Sequence, residues 1–99
     1  MKVTIKQSGG YAGEVKDLLQ LDMAQMEPSV SQQVERIIRD VKFFDLPAVV
    51  QGDVGADFLR YEITVTDSGR QHTVIFYDDG GPKTAAMKKL LESLLELRR

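Results

Sequence analysis

Leu59-Arg60-Tyr61-Glu62-Ile63-Thr64-Val65-Thr66, followed by Asp67-Ser68-Gly69-Arg70 and then Gln71-His72-Thr73-Val74-Ile75-Phe76-Tyr77, is the stretch that decides the fold. Leu59, Tyr61, Ile63 and Val65 alternate with Arg60, Glu62, Thr64 and Thr66, the period of a strand with one buried face. The Asp-Ser-Gly-Arg cluster turns the chain. His72, Val74 and Phe76 then alternate with Thr73, Ile75 and Tyr77 on the way back, which makes a β-hairpin.

Upstream, Val3 and Ile5 alternate with Lys2, Thr4 and Lys6, so Lys2 to Gln7 reads as a half-buried strand. The glycines of Ser8-Gly9-Gly10-Tyr11-Ala12-Gly13 break that pattern. A second strand runs from Glu14 to about Leu21, with Val15, Leu19 and Leu21 on one face. Asp17 falls on the same face, which weakens the strand or implies a bulge. Ser29 and Gln32 have the spacing of a capping box. Val30, Val34, Ile37, Ile38 and Val41 then form one stripe of an amphipathic helix ending near Lys42. Phe43, Phe44 and Leu46 are expected under the core, and residues 47–57 form a long connection. Downstream, Asp78-Asp79-Gly80-Gly81 turns the chain and Pro82 suits the first position of a helix. Met87, Leu90, Leu91, Leu94 and Leu95 or Leu97 supply its apolar stripe.

The expected architecture is α+β, in the order ββαββα: a four-stranded antiparallel sheet with two helices on one face. The 99 residues are expected to form a single domain. If each helix runs antiparallel to the strand before it, connections 8–13, 44–57 and 78–82 gather at one end. The Asp67-Ser68-Gly69 turn lies at the other.

Composition narrows the function. A net charge of -2 gives no electrostatic reason to expect nucleic acid. The chain has no cysteine, so it carries neither a disulfide framework nor thiolate chemistry. The alternating N-terminus does not read as a signal peptide. No apolar run approaches the ~20 residues of a membrane span, so the expected location is the cytoplasm and no membrane partner is expected. His72, the sole histidine, lies within a strand on its apolar face and reads as a partly buried sheet residue. No nucleophile or metal-ligand motif accompanies it, so the chain is expected not to be an enzyme. Ser8-Gly9-Gly10 leads into a strand, so it lacks the helix N-terminus of a phosphate-binding loop. Asp53, Asp57, Asp78 and Asp79 are singly best read as turn formers or caps. Tyr11 stands among glycines, where it either anchors a partner pocket or folds back over the sheet edge.

Four segments in order carry a resemblance. They are Ser8-Gly9-Gly10-Tyr11-Ala12-Gly13, Phe43-Phe44 with Leu46-Pro47, Gly55-Ala56-Asp57-Phe58 with Tyr61, and His72-Thr73-Val74. Together they resemble emfourin-like proteins over nearly the whole chain. The resemblance implies a bacterial inhibitor of thermolysin-like, notably protealysin-like, metalloproteases. It further implies that a loop aspartate coordinates the protease's zinc while a neighbouring loop supplies apolar side chains to the substrate subsites. Carried onto this chain, the zinc-directed carboxylate is Asp57, with Asp53 second. The pocket anchor is Tyr11, where the family has phenylalanine, with Ala12 beside it. Gly9, Gly10 and Gly13 shape that loop, and Val49, Val50 and Val54 face it across the gap. The zinc belongs to the target, so no cofactor is expected on this chain. The alternative is a non-catalytic adaptor domain binding through a sheet edge or a helix face.

Overall fold

A computed structural model describes residues 1–9, 15–50, 59–78, 80–82 and 84–97. In chain order the elements are β1 (Lys2–Gly9), β2 (Lys16–Asp22), α1 (Pro28–Asp40), β3 (Val49–Val50), β4 (Leu59–Asp67), β5 (Arg70–Tyr77) and α2 (Ala85–Glu96). Short 3-10 turns at Met23–Gln25 and Phe43–Asp45 flank α1. The α+β class holds. The sheet, however, has five strands in the order β2-β1-β4-β5-β3, and it is mixed. β3 is the strand the alternation misses. It pairs parallel to β5, Val49 opposite Ile75 and Val50 opposite Phe76. Two residues are too few to show a period, and parallel pairing leaves no turn signature in the sequence.

The hairpin forms as its alternation dictates. Tyr61, Ile63, Val65, Val74 and Phe76 are buried, and the register runs unbroken from Arg60–Tyr77 to Asp67–Arg70. Ser68 and Gly69 form a two-residue loop with φ of 51° and 83°, the positive values that make a turn match the twist of its strands. Gly69→Ala is expected to destabilise the protein by about 1 kcal/mol, because an L-residue in this conformation is strained. A Cβ there meets nothing within 4 Å, so backbone strain is the whole effect. A urea midpoint unchanged by the substitution would contradict this turn geometry.

On β1, Val3 and Ile5 are fully buried. The irregularity suggested by Asp17 is a bulge in β2. Ile5 faces Leu19 and Lys6 faces Asp17, leaving Leu18 as the extra residue. The bulge rotates Asp17 away from the face that buries Leu19. It also carries Val15 with it, which corrects the expected common face, and Val15 is 65% exposed.

Both helices cover the same core. Val34 and Ile38 of α1 and Met87, Leu90, Leu91 and Leu94 of α2 join the inward residues of the sheet in one cluster. The Ser29–Gln32 capping box does not form. Pro28 takes the first helical position, with Glu27 before it making no side-chain cap. Nor does Pro82 open α2. Thr84 precedes the helix, and its hydroxyl donates to the Gly81 carbonyl at 3.5 Å. Lys42, at φ 52°, takes the left-handed conformation that ends α1. Phe43 is buried and Phe44 and Leu46 are half-buried against the core, as their apolarity leads one to expect.

The face away from the helices carries polar residues along β1, β4 and β5, with Ile75 and Val49 apolar beside them. Thr64 and Thr73 share a hydroxyl hydrogen bond of 2.8 Å, and Lys6 sits between Asp17 and Glu62 in the strand register.

Candidate functional site

Strand register sorts the described residues between the two ends of the sheet. Gly9 pairs with Leu59, and Gln7 with Lys16. The Asp78 amide donates to the Leu59 carbonyl at 2.9 Å, and Val50 lies beside Phe76. The residues flanking 10–14, 51–58 and 79 therefore meet at one end. Asp22, Asp67 and Arg70 are at the other, roughly 20 Å away for six residues of strand.

One expected placement is corrected. Residues 43–46 do not lie at the first end. His72 Nε2 contacts the Leu46 carbonyl at 2.7 Å, and the Arg70 guanidinium stands 4.2 Å from the Phe44 ring centre. Both place this segment near the Ser68-Gly69 turn. The reason is that α1 starts only a few residues after β2 and finishes on the same side. Met23 N–H donates to the Met1 carbonyl at 3.0 Å, while Lys42 and Phe44 border a cleft together with Asp67 and Arg70. β3, not α1, carries the chain back up the sheet.

Of the residues singled out from sequence, Gly9 ends β1 with φ 91°, and Val49 and Val50 form β3. Val50 packs against the core, whereas Val49, on the other side of the strand, is 43% exposed. Gly10, Tyr11, Ala12, Gly13, Asp53, Val54 and Asp57 lie outside the described residues.

The described part of this end is a packed base. Tyr61 stacks on Phe76 with ring centres 5.3 Å apart, and the Tyr61 hydroxyl accepts from Gln7 Nε2 at 2.9 Å. Asp78 pairs with Lys88 of α2 at 3.3 Å. Among the described residues, the exposed large hydrophobic side chains are Val15, Val49 and Leu59. Val15 and Leu59 sit at this end and Val49 just below it. They are spread across the sheet: Val15 precedes β2 at one edge, Val49 lies on β3 at the other, and Leu59 is on β4 between them. The alternation puts Val15 and Leu59 on buried faces, and both are exposed, Leu59 at the end of its strand.

The other end holds a cleft of about 280 Å³ whose lining includes Glu35, Arg39, Lys42, Asp67 and Arg70. Its charges are mixed. Among the described residues, no three histidine, aspartate or glutamate side chains are grouped to hold a metal. His72 is half-buried and bonded to backbone, as expected of a sheet histidine. Among the described residues, no helix is long and apolar enough to cross a membrane.

The fold is thus that of a small α+β protein in which the chain on either side of residues 10–14 and 51–58 meets at one end of the sheet. Residues 5–95 match the family model described as Emfourin, and the chain belongs to the emfourin family, a family of protein protease inhibitors. No curated protein and no solved structure gives a match.

Proposed function

We propose that this chain inhibits thermolysin-like zinc metalloproteases, protealysin-like enzymes in particular, by occupying the active-site cleft with segments 9–13 and 49–57. The family match over residues 5–95 carries the reading. The convergence of Gly9, Leu59 and Val50 at one end supports it, since both segments depart from there.

The physical logic is substitution at the metal. A catalytic zinc keeps one coordination position for water. In this reading the carboxylate of Asp57, or of Asp53, takes that position, so the attacking water is lost. Tyr11, with Ala12 beside it, enters an apolar substrate subsite. Gly9, Gly10 and Gly13 keep that loop slim enough to enter a cleft. Val54, Val49 and the partly covered Val50 extend the apolar contact. The chain supplies a ligand to the target's zinc and catalyses nothing itself, acting in the bacterial cytoplasm.

Titrating a thermolysin-like protease with the purified chain tests the proposal. Residual activity is expected to fall linearly to a one-to-one equivalence point, and dialysis of the chain against a chelator beforehand is expected to leave its potency unchanged. Full protease activity at a large excess of the chain would reject the reading for that enzyme class.

A further inference from the structure

We infer that His72 is a positioning residue: it latches the chain at Leu46 to β5 and so sets where β3 docks. Its effect on inhibition rests on the function proposed above; its effect on β3 does not.

Among the described residues, β3 is the shortest paired element of the sheet. It contributes two residues, in the parallel arrangement, which is slightly less stable per residue than the antiparallel one. The chain meets β5 at three successive points. The His72 ring contacts the Leu46 carbonyl at 2.7 Å. The Ile75 amide donates to the Ala48 carbonyl at 2.8 Å, and Val50 then lies beside Phe76. The first of these is the side-chain contact, and it precedes the ladder.

The ring is held for this task. Phe43 meets it edge-on at 5.6 Å between centres, and Phe44 lies tilted at 6.3 Å. Arg70 stands over the Phe44 ring, 4.2 Å from its centre. A carbonyl oxygen only accepts, so Nε2 carries the proton and the neutral ring is the Nε2–H tautomer. A residue needed for packing alone would require no donor here, and the donor serves a carbonyl that leads directly into β3.

Two variants separate donor from bulk. His72→Phe keeps an aromatic ring and loses the donor; His72→Gln keeps a donor and loses the ring. The Ile75 amide reports β3 docking directly, while amides in the β4–β5 ladder report the rest of the sheet. In His72→Phe, exchange at Ile75 is expected to quicken about tenfold relative to the ladder amides, the size of one lost hydrogen bond. Inhibition is expected to weaken by a similar factor, with His72→Gln intermediate in both. Unchanged exchange at Ile75, or a uniform rise across the sheet, would overturn the latch. Faster exchange at Ile75 with wild-type inhibition would overturn the positioning role. If the wild-type chain inhibits no thermolysin-like enzyme, the proposed function fails, and the exchange data still decide whether His72 holds β3.

Discussion

Asp57→Ala is expected to weaken inhibition of a thermolysin-like protease by about 30-fold to 1,000-fold while the melting temperature stays at the wild-type value. The range corresponds to roughly 2–4 kcal/mol, the loss typical of an interface residue that carries much of the binding energy. A carboxylate bound to zinc belongs in that group. In the proposed complex it contacts a divalent ion directly, and alanine offers nothing in its place. The loss should appear mainly in the dissociation rate, as most interface truncations do. Asp53→Ala is the matched control, expected to change inhibition less than about threefold, within the range of peripheral contacts. The reverse pattern would move the zinc contact to Asp53. Full potency in both variants would remove the carboxylate-on-zinc mechanism and leave inhibition to the apolar side chains. Asparagine at position 57 adds a finer test. It keeps the shape and loses the charge, so potency close to wild type would mean that charge on the metal is not what binds.

The second large effect concerns the platform. Phe76→Ala is expected to cost about 3–5 kcal/mol, the usual range for deleting a buried aromatic side chain. Phe76 is fully buried, stacks on Tyr61, and lies between β4 and β3 in the sheet. A domain of this size typically has a net stability of only about 5–15 kcal/mol. The loss should therefore lower the melting temperature by some 15 °C or more. Because Tyr61 stacks on Phe76 and Val50 pairs beside it in the sheet, inhibition should also weaken at temperatures where the protein remains folded. Thermal denaturation followed by circular dichroism gives the first number and a residual-activity titration the second. A melting point within 5 °C of wild type would show that the cavity collapses, and that the Tyr61–Phe76 stack contributes little.

These two expectations draw on different sources. Phe76 is read from alternation: Val74 and Phe76 differ from Thr73, Ile75 and Tyr77 in position, and the buried face follows. Asp57 is read from the resemblance of Gly55-Ala56-Asp57-Phe58 to one family, and no physical pattern in the chain singles it out from Asp53. Periodicity reports burial because burying apolar area is what a strand or helix face contributes to folding. A carboxylate destined for another protein's metal leaves no such trace. Its environment is supplied by the partner.

The sequence by itself determined the hairpin of β4 and β5, the buried face of β1, both helices and their apolar stripes, and the family to which the chain belongs. In each case a local signal is enough: a period of two, a stripe at helical spacing, an Asp-Ser-Gly turn, or ordered motifs. Tertiary structure alone decided that β1 lies beside β4, that Leu18 bulges and turns Val15 outward, and that β3 joins β5 in parallel. It also moved Phe43 to Leu46 to the end opposite Gly9, beside His72. The reason is that strands join through backbone N–H and C=O groups, which nearly every residue possesses. The choice of neighbour is made by the summed packing of distant segments and is written in no single stretch of chain.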